Sequence, residues 1–340
     1  MSTMPKSQVS AVEISVVVPI WNDTESIQPF LSELEESISK ETKRYEVIFC
    51  VDPSTDGTEE QIKKLAREDK KIRALFFASR AGQPASTMAG LAHASGEAVI
   101  VIDVDLQDPV ELIPLMIQHW RKGEVLVLPR RISRSGEPLT KRLTAALGYS
   151  FLNRFGHIPI PKNTGDFRLM DRTLVRRVLT LRESHIFLRG LVAVADQNPV
   201  LIDFNRPARP KGRTKYNKWF GGIRSGMNGI VSFSSALLDG IVVLGLVLAS
   251  ISFFLGAKLA LYKITGHYIA PGNASLFVVV TFVGGMQLVG IGVIGLYIGR
   301  IFEEVKNRPR WYVRESIGLD SIDDLDIARS YLQNKSQSLR

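Results

Sequence analysis

The sequence predicts a mostly parallel α/β domain followed by a pair of membrane-spanning helices. Over the first 235 residues, short runs rich in Val and Ile alternate with amphipathic stretches, which is typical of βα units. Turn residues such as Asp56-Gly57 separate these segments. Two long runs nearer the C-terminus contain almost no charged residue and are long enough to cross a bilayer.

The predicted strands are short, apolar and rich in β-branched residues. They cover Ile14–Pro19, Tyr45–Asp52, Ile72–Ala78, Ala98–Asp103 and Val125–Pro129. Amphipathic helices are predicted between them, over Ser26–Lys40, from Thr58 to about Asp69, over Gln83–Ala94 and over Val110–Lys122. In sheets of this kind the ligand site lies at the carboxyl ends of the strands.

Acidic residues stand where two of these strands end. The second strand ends in Asp52, and the fourth runs into Asp103-Val104-Asp105-Leu106-Gln107. Two carboxylates and an amide supply hard oxygen ligands, which Mg²⁺ or Mn²⁺ binds while sharing substrate phosphates. Neither a G-x-G-x-x-G after the first strand nor a P-loop motif occurs, which argues against a dinucleotide-binding fold and a P-loop NTPase.

Two transmembrane helices are predicted, at residues 237–261 and 275–299. No charged residue occurs at positions 240–257 or 270–299. Basic residues flank the pair on both outer sides, whereas the short link between the helices has few. Both termini are therefore expected on the cytoplasmic side.

The charge is unevenly distributed along the 340 residues. Residues 1–120 hold 11 basic and 19 acidic side chains, whereas residues 121–225 hold 22 basic and 7 acidic ones. A basic block ahead of apolar helices indicates a lipid phosphate as partner rather than nucleic acid, for which no recognition motif is present. The single cysteine, Cys50, excludes a disulfide framework and a Cys-based zinc site.

The predicted organisation has five parts. They are a catalytic domain at 1–217, an interfacial amphipathic segment at 218–236, the helices at 237–261 and 275–299, and a cytoplasmic tail at 300–340.

Several motifs together resemble the GT-A glycosyltransferases of family 2. More narrowly, the chain is similar to the polyprenyl-phosphate glycosyltransferases, relatives of dolichol-phosphate mannose synthase and of bactoprenol glucosyltransferases. The runs that carry the resemblance are Val17–Asn22, Val51–Thr58, Asp103–Pro109, Thr164–Leu169 and Gly212–Tyr216. The resemblance implies a GT-A fold for the cytoplasmic domain.

The resemblance implies transfer of a sugar from a nucleotide diphosphate to polyprenyl (undecaprenyl-type) monophosphate. The reaction would be inverting, non-processive and dependent on Mg²⁺ or Mn²⁺, in an integral protein of the bacterial inner membrane. UDP-glucose is the best guess for the donor, with GDP-mannose and modified UDP-pentoses open. The glycine-rich second helix also leaves a homo-oligomer open. Because a phosphate monoester is mostly dianionic at neutral pH, the acceptor needs positioning by Arg and Lys more than it needs a base.

Site residues follow from the resemblance and from the basic runs. The donor nucleotide pocket is expected to comprise Pro19, Asn22, Glu25, Asp52, Gly82 and Asp103. The metal is expected on Asp103, Asp105 and Gln107, and the catalytic residues are expected to be Asp103, Asp105 and Asp166. The acceptor phosphate is expected among Arg130, Arg131, Arg134, Arg142, Arg213 and Lys215. Two roles stay open for Asp166: it could be a general base, or it could orient an Arg or a hydroxyl group of the donor sugar.

The chain departs from the family pattern at two points. It has Asp52-Pro53 where two Asp are usual, and Arg80-Ala81-Gly82 where Arg-Asn-x-Gly is usual. Two alternatives are a processive polysaccharide synthase and a non-catalytic membrane scaffold with a transferase-like domain. The Gln-x-x-Arg-Trp motif of processive synthases has its nearest match in Asn307–Trp311, which lacks the Gln. Intact Asp103 and Asp105 argue against a scaffold.

Overall fold

A computed structural model gives the fold of the protein. The structure describes residues 12–132, 161, 163–181, 183, 186–196, 198–205, 236–265, 272–306 and 308–319. The predicted interfacial segment at 218–236 lies outside these ranges except for Ala236.

An eight-stranded sheet forms the centre of the domain. The strands are β1 (Ile14–Ile20), β2 (Tyr45–Val51), β3 (Ile72–Phe77), β4 (Ala98–Val101), β5 (Leu126–Arg131), β6 (Arg168–Asp171), β7 (Val200–Phe204) and β8 (Val313–Ile317). Their order across the sheet is β7-β5-β6-β4-β1-β2-β3-β8. Four pairs of strands are parallel: β1 with β2, β1 with β4, β2 with β3, and β5 with β7. β6 and β8 run antiparallel to their neighbours. The prediction of a mostly parallel α/β sheet is confirmed, with the refinement that the sheet is mixed.

Helices cover both faces of this sheet. They are α1 (Thr24–Ile38), α2 (Thr58–Glu68), α3 (Gln83–His93), α4 (Ile113–Arg121, preceded by a 3₁₀ turn at Val110–Leu112), α5 (Arg172–Thr180) and α6 (Leu188–Ala195). α1 and α4 pack on one face in one apolar cluster, and α3, α5 and α6 pack on the other face in a second cluster.

The central strands are apolar on both faces because both faces are covered. In β1, Val16 and Val18 face the first cluster while Val17, between them, faces the second. Every residue of β1 and β2 is buried. Continuous Val/Ile runs are what a parallel sheet between two helical layers requires, and they made these strands readable from sequence.

Helix α3 approaches the sheet closely at Gly90. A Cβ at this position would lie 2.3 Å from Cγ1 of Val17 and 2.7 Å from Sγ of Cys50. Both neighbours belong to central strands that have no room to move, so only a glycine fits here.

Gly90→Ala is therefore expected to destabilise the domain by about 3 kcal/mol, the upper range for overpacking a core. The midpoint of thermal unfolding in detergent would measure it. The double variant Val17→Ala/Gly90→Ala is the control, because the smaller side chain opens space for the added methyl group. Destabilisation by the double variant that equals the sum of the two single effects would contradict this reading of the contact.

Two long helices follow the sheet domain, α7 (Ala236–Ile264) and α8 (Asn273–Lys306). They contact each other where Gly290 of α8 faces Ile241 of α7. Most of the described apolar side chains on both helices are exposed. Within the described residues one stretch, Phe282–Lys306, is long and apolar enough to cross a membrane. Two such spans, at 237–261 and 275–299, were expected from the sequence.

After α8 the chain returns to the sheet. β8 pairs antiparallel with β3, with Val313 opposite Phe77 and Ile317 opposite Ala74. Trp311, just before β8, is 2% exposed and packs in the second apolar cluster. Part of the segment at 300–340, which was expected to be a C-terminal tail, is thus an edge strand of the domain.

Candidate functional site

The acidic residues predicted from the sequence meet at one edge of the sheet. Asp52 follows β2 and Asp103 follows β4, at the carboxyl ends of parallel strands. Asp166 lies just before β6, which is antiparallel to β4 and therefore begins at this edge. Arg131, the last residue of β5, reaches the same edge. We call it the carboxylate edge.

Asp52 holds the loop that follows β3. Its carboxylate accepts hydrogen bonds from the backbone N–H groups of Ala81 (2.8 Å) and Gly82 (2.9 Å). Gly82 has a φ of +80°, a backbone conformation that favours glycine. The segment Arg80-Ala81-Gly82, which departs from the family pattern, thus supplies two adjacent backbone N–H groups to the Asp52 carboxylate.

Asn22 joins the loops after β1 and β2. Its side-chain oxygen accepts from the N–H of Thr55 (2.8 Å), and its own N–H donates to Oγ of Ser54 (3.1 Å). Beside it, the guanidinium of Arg80 stacks 3.6 Å above the ring of Trp21. Trp21 in turn donates to the carbonyl oxygen of Pro53 (3.1 Å). Three loops therefore form one connected rim at the carboxylate edge.

Negative charge is concentrated around Asp103. We call Asp103, Asp105, Asp108 and Asp166 the acidic cluster. Burial, and after it the charges of Asp166, Asp108 and Asp105, together raise the pKa of Asp103 to about 8. Nε2 of Gln83, at the start of α3, donates to Asp103 (2.7 Å) and stabilises its charged form. A cation placed among these carboxylates would relieve their repulsion.

The loop after β4 is held in a strained conformation. Leu106 has a φ of +55°, and its side chain packs against the first apolar cluster. The residues on either side of Leu106 are hydrogen-bonded to each other: Oδ1 of Asp105 accepts from the N–H of Gln107 (3.1 Å). The other two non-glycine residues with positive φ in the described chain, Asn22 and Asn163, also lie at the carboxylate edge. Strain of this kind concentrates at functional sites.

The donor set fits a divalent cation that shares substrate oxygens. Asp103 and Asp105 offer carboxylates and Gln107 an amide oxygen, which are hard ligands for Mg²⁺ or Mn²⁺. Among the residues that the structure describes, no group of three or more His, Cys, Asp or Glu side chains is arranged to hold a metal alone. Oxygens of a bound ligand or of water would complete the coordination.

Asp166 is an ion-pair partner of two arginines. Its carboxylate lies 3.0 Å from Nε of Arg189 and 3.3 Å from Nη2 of Arg168, whose side chain is 2% exposed. Although burial acts in the opposite direction, Arg189 and Arg168 hold the pKa of Asp166 below its usual range. A carboxylate with a lowered pKa is a weak base and a good anchor for guanidinium groups.

The structure separates Arg131 from Arg130. Successive side chains of a strand point to opposite faces. Arg131 approaches Asp108 (3.3 Å), and its buried Nε–H has no hydrogen-bond acceptor among the described residues. Arg130 instead makes a two-bond pair with Asp203 on the exposed side of β7 (2.6 and 2.9 Å). Of the two, only Arg131 faces the acidic cluster.

The remaining predicted site residues are less informative. Pro19 is buried within β1, and Glu25 is exposed on the first turn of α1. Arg134, Arg142, Arg213 and Lys215 lie outside the described residues.

Sequence reasoning missed Gln83 and Arg189. Gln83 contacts Asp103 from the start of a helix, and Arg189 contacts Asp166 from 23 positions further along the chain. A polar residue directly after Gly82, at the start of a predicted helix, was an available sequence signal for Gln83. Nothing local in the sequence points to Arg189.

The end of β7 and the start of β8, the strands that precede α7 and follow α8, lie at the carboxylate edge. β7 runs parallel to β5 and ends at Phe204 beside Ile132, whose N–H donates to the Phe204 carbonyl (3.0 Å). β8 begins opposite the end of β3, because it is antiparallel to that strand. The chain thus leaves for α7 and returns from α8 on the side of the domain that carries the acidic cluster.

The family model and the sequence relatives agree on one family. The family described as glycosyl transferase family 2 matches residues 15–179. A bactoprenol glucosyl transferase derived from prophage SfII of Shigella flexneri is 39% identical over 305 residues, 90% of this chain and 98% of that protein. An uncharacterised glycosyltransferase of Synechocystis is 38% identical over 313 residues, 91% of this chain and 97% of that protein. Among solved structures, glucosyl-3-phosphoglycerate synthase of Mycobacterium tuberculosis with Mn²⁺, UDP and phosphoglyceric acid is 22% identical, with a TM-score of 0.45, covering 65% of this chain and 78% of that one.

Proposed function

The chain belongs to glycosyl transferase family 2, and from this premise we propose that it transfers glucose from UDP-glucose to polyprenyl monophosphate. The enzyme is a glycosyltransferase; the donor, the acceptor and the mechanism are the proposal. The relatives named for bactoprenol match this chain over nine-tenths of its length, which supports a lipid-phosphate acceptor of the undecaprenyl type.

One observation carries the acceptor assignment. The connections to α7 and α8 leave and enter the domain at the carboxylate edge, which is also where Asp103, Asp166 and Arg131 meet. A phosphate on a lipid tail lies at the bilayer surface. A pair of apolar helices attached at this edge would bring the acidic cluster toward that surface.

We propose that α7 and α8 form a transmembrane hairpin, with spans at 237–261 and 275–299. β7 precedes the hairpin and β8 follows it, and both strands belong to one sheet. Both ends of the hairpin would therefore lie on the same side of the membrane. That topology needs an even number of crossings. The basic flanks of the hairpin favour the cytoplasmic side for the catalytic domain, residues 1–217 together with β8.

The donor nucleotide would bind at the rim of loops after β1, β2 and β3. This pocket comprises Asn22, Asp52 and Gly82, with Pro19 and Glu25 beside them and Asp103 toward the diphosphate. The Trp21–Arg80 stack offers a flat surface beside Asp52 on which a nucleobase would pack.

Asp103, Asp105 and Gln107 would hold Mg²⁺ or Mn²⁺ with the donor diphosphate. When bound, the cation supplies charge neutralisation for the departing nucleotide diphosphate. Gln83 keeps Asp103 oriented and favours its ionised form.

The acceptor phosphate would act as the nucleophile. One of its oxygens bonds to the anomeric carbon of the sugar while the bond from that carbon to the donor diphosphate breaks, with inversion. Since the phosphate is already mostly dianionic, no strong base is required. Arg131, whose side chain is partly exposed, would bind it through its guanidinium, and Asp166 would orient Arg189 and Arg168 rather than remove a proton.

A transfer assay tests this function. The protein purified in detergent is supplied with undecaprenyl phosphate, Mg²⁺ or Mn²⁺ and a panel of radiolabelled nucleotide sugars. Label from UDP-glucose is expected in the lipid extract and is expected to vanish with EDTA. Transfer from another donor alone would overturn the sugar assignment. Lack of transfer from every donor would overturn the proposed acceptor reaction.

The neighbouring arginines of β5 give a matched pair for the acceptor site. Arg131→Ala is expected to lower kcat/KM for undecaprenyl phosphate by about 100-fold, because a charge-assisted contact to a buried phosphate is lost. Arg130→Ala, which removes a charge one residue away, is expected to change it less than about twofold. Steady-state kinetics at varied acceptor concentration would measure both. Equal losses from the two variants would contradict the separation of their roles.

A further inference from the structure

We propose that the chain following α8 positions the donor pocket, with Arg314 of β8 and Glu59 of α2 as its positioning residues. The identity of the pocket rests on the proposed function. The contacts themselves involve the loops after β1, β2 and β3, none of which is near β8 in sequence.

The first contact is to the loop after β3. The carbonyl oxygen of Tyr312 accepts from the N–H of Ala78 (2.9 Å), one residue beyond the end of β3. Trp311 is buried in the second apolar cluster, against which Ala81 also packs. The loop from Ala78 to Gly82 is therefore held by Asp52 on one side and by the returning chain on the other.

The second contact is a polar relay to the loop after β2. One oxygen of Glu59, Oε2, pairs with Nη2 of Arg314 (2.5 Å). The other, Oε1, accepts from the backbone N–H of Ser54 (3.3 Å). Oγ of Ser54 accepts from the N–H of Asn22, so the relay reaches the loop after β1. The relay joins β8 to two of the three loops, and Tyr312 joins it to the third.

The position of Glu59 explains why its charge matters. Its side chain is 14% exposed, and it lies in the first turn of α2, next to the loop that it holds. Without Arg314 the carboxylate loses its ion-pair partner and gains freedom to leave Ser54 for solvent. The loop after β2 would then be less ordered before the donor binds. The entropic cost of ordering this loop on binding would reduce the affinity for the donor.

The same pair of elements supplies a matched control. Lys63 of α2 pairs with Glu315 of β8 at 2.6 Å, one residue further along the strand. This pair joins β8 to α2, as the Arg314–Glu59 pair does. Within the described residues, neither Lys63 nor Glu315 is hydrogen-bonded to the loops after β1, β2 or β3. Breaking it tests the general attachment of β8 without the relay.

The experiment compares Arg314→Ala, Arg314→Lys and Lys63→Ala with the wild type. Arg314→Ala is expected to raise KM for UDP-glucose about three- to fivefold. This change corresponds to the loss of the interaction energy of one partly exposed ion pair. The KM for undecaprenyl phosphate and kcat are expected to stay within about twofold. Arg314→Lys is expected to recover most of the loss, and Lys63→Ala to change neither KM.

A second measurement does not depend on activity. Hydrogen–deuterium exchange in the absence of ligand is expected to be faster at Ser54 and Thr55 in Arg314→Ala and unchanged there in Lys63→Ala. Unchanged exchange in Arg314→Ala, or an equal change in both variants, would overturn the inference. Absence of transfer by the wild type would overturn the proposed function instead, while the exchange data would still decide the role of the relay.

Discussion

Asp105→Ala is expected to lower kcat for sugar transfer by about 1,000-fold while leaving the fold intact. Asp105 is partly exposed in the loop after β4, so its loss costs little packing. Its carboxylate is one of the two that the cation would require at the acidic cluster, and charge stabilisation at the leaving group is usually the largest single contribution to catalysis.

The measurement is the initial rate of label transfer at saturating donor, with Mg²⁺ and with Mn²⁺. Asp203→Ala is the control, since Asp203 is an exposed carboxylate whose partner Arg130 faces away from the cluster. Transfer by Asp105→Ala at more than a tenth of the wild-type rate would contradict the metal assignment. An unchanged thermal midpoint is required before the comparison is made.

Asp166→Ala is expected to reduce both activity and stability. Removing this carboxylate leaves Arg168, which is fully buried, and Arg189 without their shared counter-charge. Breaking such a pair costs about 3 kcal/mol. Transfer is expected to fall about 100-fold, because the arginines lose the orientation that the acceptor phosphate would need.

A double-variant cycle separates an orienting role from a base role. If Asp166 acts through Arg189, then Asp166→Asn combined with Arg189→Ala should be little worse than the more damaging single variant. A base acting on its own would give losses that multiply. Rates at varied acceptor concentration and thermal midpoints for the three variants would be compared. Multiplicative losses would contradict the orienting role.

The parts of the fold that sequence predicted are those whose pattern is local. β1 to β5 and the helices between them have apolar runs or amphipathic periods of their own, and their bounds came within a few residues. β6, β7 and β8 are four or five residues long and in part polar, such as Val-Arg-Glu-Ser-Ile in β8. What makes them strands is pairing with segments far along the chain, which no local pattern encodes.

The candidate site divides in the same way. Asp52, Asp103 and Asp166 could be predicted to lie at one edge of the sheet because they follow strands or belong to a recognisable run. The partners that set their chemistry were not, since the Arg189 guanidinium reaches Asp166 only after α6 has packed. The distinction between Arg130 and Arg131 likewise depends on which face of β5 each residue occupies.

The edge position of β8 sets an order for assembly of the protein. Its ion-pair partners on α2 precede it by 252 and 255 residues, so the β3 edge is synthesised long before its partner strand. At about 5–20 residues per second this interval lasts on the order of tens of seconds. During that time an unpaired strand edge is open to association with other chains. If α7 and α8 insert as the proposed hairpin, their correct threading would be a precondition for a closed sheet, and membrane insertion would act as a checkpoint on the maturation of the sheet domain.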